Sequence, residues 1–482
     1  MKQTKLCEFS GIPESNRRNI INRFRYSILL SAVGDCLGWP LEFSKKKPKE
    51  RLEHFIRWKK IVGGKWWGYE DEILPGEYSD DTQLILAVAR SIDSSGNFNP
   101  EYFAYLELPL WLNYERGGGK SMKIAARNIL KKRVKWFSNF YKIDGISYFN
   151  AGANGAAMRN LPIALVNINN ERRFIIDTFK NALITHGHPR AIVGSILIGS
   201  AQIFLLKEES VDYRELYEYI HLMLKNTLSI VKENDELNRW IRLWSEHTKQ
   251  NFEDKFKEYV SETITFIRKI PDYLSKDDIE YYKITKALDP LFKGSGTTTT
   301  AVAIYMFLKY SEHPDEALIR AANFVGSDTD TIAGFVGSLI GCLYGKSIPT
   351  KLKRLASQIQ DKNYLESLAG FLWDVSQNEL NIVESEQKID KRRAYLKILA
   401  WEIGLHELFW DALDEGDRII HPTLGRGTIE YKTIRKIPQR EDYIAKIFKI
   451  KFDSGQTAYF HSRVSKEGVV TERLSKFFEN AL

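Results

Sequence analysis

At 482 residues the chain is long enough for a substantial core and more than one domain, and its 43% apolar content is ordinary for a soluble protein. A net charge of +8, with a pI near 9.0, is mildly basic: it suits solubility and makes contact with a polyanion the minority reading. Cys7, Cys36 and Cys342 are scattered without paired spacing, which excludes a disulfide framework and a cysteine zinc site and points to the reducing cytoplasm.

Met1 to Ser10 lacks the apolar run of an export signal. Asn19 to Gly34 has helical apolar spacing through Ile20, Phe24, Ile28, Leu29 and Ala32. It is expected to deliver a turn, Gly34-Asp-Cys-Leu-Gly38, with Glu42 just beyond. Residues 44 to 76 read as a loop-rich excursion with Lys45, Lys46, Lys47 and the pair Trp66-Trp67, whose rings are expected to pack beneath the loop. Ser79, Asp80 and Asp81 then precede an apolar helical run to Arg90. Such residues at a helix start commonly only cap it.

From Pro100 an apolar run through Phe103, Leu106, Leu110 and Trp111 ends at Arg116-Gly-Gly-Gly-Lys-Ser121. The spacing is not that of a P-loop and no strand precedes it. Gly117, Gly118 and Gly119 lead into a helix near Met122, so the loop is either an anion-facing helix start or a plain turn. Ala151-Gly-Ala-Asn-Gly-Ala-Ala-Met-Arg159 is crowded with small residues that let a ligand touch backbone, and Asn154 offers both donor and acceptor. Thr185-His-Gly-His-Pro189 follows a short helix. Ala191 to Leu206 is the longest apolar segment, but small and polar residues interrupt it and it is shorter than the ~20 residues of a bilayer span, so a buried helix and no membrane contact are expected.

Residues 207 to 290 have helical periodicity and read as a peripheral helical insertion. Gly294-Ser-Gly-Thr-Thr-Thr-Thr300 starts another helix. Asp328, Thr329, Asp330 and Thr331 then open a helix in which Gly334, Gly337, Gly341 and Gly345 make a stripe for close backbone approach, while Phe335, Leu339 and Leu343 keep it apolar. Amphipathic helices over Lys351 to Gln360 and Arg392 to Trp410 form a connector, 351–414. Beyond it, Gly416 to Tyr431 and Ile444 to Phe460 alternate apolar and polar residues around glycine turns, the sign of short antiparallel strands.

Should the two acidic helix starts meet, four carboxylates and two hydroxyls would share a pocket. Each pair of charges ~5 Å apart would repel by ~3 kcal/mol at an effective dielectric constant near 20. With only oxygen donors, the implied counter-charge is a hard divalent cation, Mg²⁺ or Mn²⁺, and two of them fit the donor count.

Gly34-Asp-Cys-Leu-Gly38 with Glu42, Ser79-Asp-Asp-Thr82, Asn154-Gly-Ala-Ala-Met-Arg159, Thr185-His-Gly-His-Pro189 and Asp328-Thr-Asp-Thr331 together resemble the motif series of the ADP-ribosylglycohydrolase family, in order, over roughly two thirds of the chain. The resemblance implies an all-α orthogonal helical bundle over residues 17–350 that hydrolyses an ADP-ribosyl bond on a protein or nucleic acid. It implies a binuclear Mg²⁺ (or Mn²⁺) centre at Ser79, Asp80, Asp81, Asp328, Asp330 and Thr331, with Asp80 and Asp81 also catalytic and Glu42 as general acid/base. It further implies that Gly117, Gly118, Gly119, Asn154, Gly155, Ala156 and His186 seat diphosphate, adenosine and inner ribose. Ser327, where many relatives have glycine, and the four threonines after Gly296 depart from the pattern. Residues 415–482 look like a small SH3- or Tudor-like β-barrel, similar to those appended to some DNA helicases, whose Lys and Arg would suit nucleic acid or an acidic partner. Two other readings stand beside hydrolysis: an immunity or antitoxin protein that binds an ADP-ribosyltransferase, and a nucleic-acid-tethered ADP-ribose reader.

Overall fold

The computed structural model describes residues 14–44, 48–377, 388–405 and 412–466. Lys45 to Lys47, Met1 to Ser10, the end of the helix expected to reach Trp410 and the last part of the expected barrel lie outside the described residues. The principal elements are α1 (Glu14–Gly38), β1 (Trp58–Val62), β2 (Tyr69–Ile73), α2 (Asp80–Arg90), α3 (Lys120–Asn128), α4 (Glu171–Leu183), α5 (Pro189–Lys207), α6 (Tyr213–Lys232), α7 (Asp235–Thr248), α8 (Phe252–Arg268), α9 (Gly296–Lys309), α10 (Thr329–Tyr344) and α11 (Lys362–Ser376). The C-terminal strands are β3 (Arg418–His421), β4 (Gly425–Lys436), β5 (Tyr443–Phe452) and β6 (Thr457–Ser465).

The centre of the bundle is the antiparallel pair α1 and α10. A Cβ on Gly34 would lie 2.1 Å from Ala333 O, on Gly38 2.3 Å from Thr329 O, on Gly337 1.9 Å from Leu30 O and on Gly341 2.2 Å from Ser27 N. The glycine stripe thus does what its spacing predicts, and the partner backbone is α1. Thr329 Oγ1 donates to Gly38 O (2.8 Å), locking the start of α10 to the end of α1. Gly34 to Gly38 is therefore the last turn of α1 and not, as expected, a turn after it.

α5 is long and apolar enough to cross a membrane, yet 94% of its apolar window is buried inside the bundle. Its Gly194 meets the Gly296 carbonyl at the start of α9, where a Cβ would come within 2.3 Å. The segment expected to be a peripheral insertion is helical, as α6, α7 and α8, but it joins the main core. Trp240 Nε1 donates to Tyr148 OH (3.1 Å) and Trp244 Nε1 to Gly187 O (2.7 Å), bracing the loop that carries His186.

Residues 44 to 76 hold more structure than the loop expected: β1 and β2 form an antiparallel hairpin, Trp58 opposite Ile73 and Val62 opposite Tyr69. Trp67 packs edge-on against Tyr443 at 4.9 Å, and Trp66 is exposed. The C-terminal strands form one antiparallel sheet in the order β3-β4-β5-β6, curled into a half-barrel. It is no loose appendage. Phe460 is fully buried and packs on Tyr114 (5.5 Å), and His461 N donates to Asn113 O (3.0 Å). Thr457 N (2.6 Å) and Lys451 Nζ (2.8 Å) both bond the Asp361 carboxylate.

Candidate active site

α2 begins at Ser79, whose hydroxyl accepts from Asp81 N (3.2 Å) as a capping residue does. Behind it lies Asp35 of α1. Its carboxylate accepts from Ser79 N (3.1 Å), Thr82 N (3.1 Å) and Thr82 Oγ1 (2.6 Å), so α1 sets the direction in which α2 starts. Asp80 N donates to Arg116 O (2.8 Å), which ties the same turn to the glycine loop. Asp35 belongs to the Gly34–Gly38 motif, yet its spacing alone assigns it no role; the signal for one is an acid at the buried end of an apolar helix.

The two acidic helix starts converge. The Asp81 carboxylate faces Thr331 within electrostatic reach of Asp80, Asp35 and Asp328, and Asp330 sits with Glu42 and Asp328. Glu42, directly after the short turn Trp39–Leu41 that extends α1, brings a carboxylate oxygen within 4.8 Å of oxygens on Asp328 and Asp330. Burial first, and then the neighbouring carboxylates, drives these acids toward the protonated form: Glu42 up to about 8, Asp80 up to about 7, Asp81 and Asp330 well above the usual range. The carboxylates of this cluster are driven up in pKa despite the lysines around it, and its donors are all oxygens. The residues therefore fit a hard divalent cation.

The remaining expected residues divide. Gly117, at φ +114°, lies against Asp80, where a Cβ would come within 2.6 Å of Oδ1. Gly118 N is already bonded to Glu115 Oε2 (2.9 Å), while Gly119 precedes α3 with open space before it. Asn154 Nδ2 donates to Asp328 Oδ2 (3.0 Å), so this residue reaches the carboxylates directly. Gly155 instead backs onto the His186 ring, which a Cβ would approach within 2.8 Å, and Ala156 is buried. His186 is buried with Nδ1 bonded to Thr185 Oγ1 (2.7 Å). Burial, then Arg159, pushes its pKa down to about 3, leaving a neutral ring behind the loop. Arg159 pins that loop, bonding Gly155 O (2.9 Å), Asn181 O (2.7 Å) and Thr185 Oγ1 (2.9 Å).

Gly152, two residues before Asn154, abuts His188, and His188 borders a cleft of about 720 Å³ lined by Phe140, Phe149, Trp244, His247 and Tyr259. One strip of backbone, 151–154, thus runs from an aromatic cleft to the acidic cluster.

The chain belongs to the ADP-ribosylglycohydrolase family, whose profile matches residues 16–381. It is 27% identical over 362 residues to an uncharacterized protein of Archaeoglobus fulgidus, covering 73% of this chain and 96% of that one. It is 29% identical over 168 residues to the ADP-ribosyl-[dinitrogen reductase] glycohydrolase of Rhodospirillum rubrum, covering 35% of this chain and 52% of that protein. It is 26% identical over 371 residues to ADP-ribosylhydrolase ARH3 of Xenopus tropicalis, covering 71% and 93%.

Proposed function

We propose that the protein hydrolyses an ADP-ribosyl glycosidic bond on a modified macromolecule, dependent on Mg²⁺ (or Mn²⁺) held by Ser79, Asp80, Asp81, Asp328, Asp330 and Thr331. The observation that carries this reading is the meeting of the α2 and α10 starts, with Asp81 facing Thr331 and Glu42 at the edge. The R. rubrum relative is named for action on an ADP-ribosylated protein, which supports a protein substrate here. Its compartment is the cytoplasm, where the unpaired thiols of Cys36 and Cys342 stay reduced.

Divalent cations held by Asp80, Asp81, Asp328 and Asp330 would supply fixed positive charge to orient the ribose hydroxyls and offset the charge shift as the glycosidic bond breaks. The chain's own residues do the rest. Asn154, held by Asp328, presents its amide to the distal ribose; the open Gly119 end of the glycine loop faces the diphosphate; and the aromatic cleft beyond Gly152 takes the adenine. Glu42 gives its proton to the leaving atom of the acceptor as that atom's bond to the anomeric carbon breaks, then takes a proton from the water that forms the new C–O bond. His186 acts on the substrate only through Gly155. The test is a panel of differently linked ADP-ribosyl substrates incubated with and without EDTA: Mg²⁺-dependent release of free ADP-ribose is expected from at least one, and release from none contradicts the proposal.

A further inference from the structure

Two lysines flank the Glu42 end of the carboxylate cluster. Lys60, on β1, places its Nζ 5.0 Å from the ring centre of Trp39 and 5.0 Å from that of Phe43, shut off from water and without a hydrogen-bond partner. Lys293, in the loop before α9, places its Nζ 6.0 Å from the same Phe43 ring and 3.5 Å from the Glu42 carbonyl. Phe43 itself is 65% exposed, and both ammonium groups act electrostatically on the Glu42 carboxyl. An ammonium held away from water without a partner is costly, and a ligand that supplies the partner removes the cost.

A general acid must touch the leaving atom. The groups beside Glu42 therefore border the acceptor, and here they are an exposed aromatic ring with one buried and one rim lysine against it. With a divalent cation held by the carboxylates, the lysine charges would be left for the incoming group. A guanidinium acceptor would meet like charge, whereas an oxygen-linked acceptor in an acidic segment would be drawn in. The lysine on β1 does not swing freely. Its hairpin is held by Tyr69 OH on His461 Nδ1 (2.7 Å) and by Trp67 on Tyr443.

Resting on the hydrolase reading above, we propose that Lys60 and Lys293 are specificity-determining residues that select ADP-ribose linked through an oxygen in an acidic protein segment over ADP-ribose linked to an arginine guanidinium.

The test compares kcat/KM for two acid-rich peptides of the same sequence, ADP-ribosylated on serine or on arginine at one position, using wild type, Lys60→Met, Lys293→Met and the double variant. Wild type is expected to prefer the serine-linked peptide, each methionine to cut the preference by about tenfold, and Lys60→Arg to keep it. Binding of free ADP-ribose, which has no acceptor, should change little. Preference for the arginine-linked peptide in wild type, or an unchanged preference in a folded double variant, overturns the proposal. Faster cleavage of a phosphate-linked ADP-ribosyl oligonucleotide overturns the protein acceptor. Release from no substrate at all brings down the hydrolase reading first. Should Lys60→Met fail to fold, Lys293→Met on the rim carries the same comparison.

Discussion

The side chain of Asp81, in the first turn of α2, faces that of Thr331, in the first turn of α10. This approach joins two helix starts that are far apart in the chain, and on the α10 side Asp328 and Asp330 form one cluster with Glu42. Both ends matter to any ion held between them. Asp80→Asn and Asp330→Asn are each expected to lower kcat/KM by more than the about 10–100-fold that outer partners of a metal site cost. Steady-state kinetics at saturating Mg²⁺ checks this, and full activity in either variant would count against the shared site.

Asp35 is expected to act as a positioning residue. Asp35→Ala would leave Ser79 N and Thr82 N without their carboxylate acceptor in a buried place, at about 1–3 kcal/mol for each unmet group. Urea denaturation should show the loss. Asp35→Asn, which keeps one acceptor oxygen, should fall between alanine and wild type in both stability and kcat.

The α1–α10 contact makes a graded prediction. Gly337→Ala puts a methyl 1.9 Å from Leu30 O, so backbone must move, and overpacking of this kind costs about 1–3 kcal/mol or more. At Gly334 the nearest atom, Ser31 O, is 3.4 Å away, and alanine there recovers up to about 1 kcal/mol of helix propensity. Thermal melts should therefore separate the two variants clearly, with Gly334→Ala near wild type and Gly337→Ala well below it.

The half-barrel is expected to be inseparable from the bundle. Tyr459 OH bonds the Glu77 carboxylate, and its ring lies 3.9 Å under the Arg116 guanidinium, which also binds Asp71 and Glu77. Arg116 O in turn holds Asp80 N. Truncation after residue 414 should give insoluble or unfolded protein. Tyr459→Phe should fold, lose about 1–3 kcal/mol and raise KM more than it lowers kcat, because the glycine loop is what Arg116 steadies. A soluble, active truncated chain would contradict this.

Acid should weaken the fold through its buried histidines. Burial, as the first cause, pushes the pKa of His461 and His188 down to about 4, and that of His421 well below its usual range. The folded chain refuses protons that the unfolded chain accepts, so this part of the stability is intact above about pH 6.5 and is lost as pH falls toward 4. The urea midpoint should drop over that window, and by less in His461→Gln.

Much of the site was legible in the sequence because its chemistry is local. Paired acids before an apolar run mark a helix start, and glycines at three- and four-residue spacing mark a close helix pair. What escaped was set by distant partners. The β1–β2 hairpin hides because charge falls on both of its faces: Lys59, Glu70 and Glu72 point outward while Lys60 and Asp71 point inward, so apolar and polar residues do not alternate cleanly. The strands of the half-barrel were visible, but their union with the bundle was not: Thr457 to Phe460 is buried on both faces, which only the packing of Tyr114 and Asp361 explains. Ala156 and His186 carried the family pattern, and both are buried, the His186 ring lying against Gly155.

The most direct measurement is a Mn²⁺ titration followed by electron paramagnetic resonance, with wild type, Asp80→Asn and Asp330→Asn compared at equal protein concentration. The account predicts tight binding by wild type and clear weakening by each substitution alone, with Mg²⁺ competing with Mn²⁺ for the same carboxylates. Binding that ignores either substitution, or no binding by the folded wild type, would contradict it.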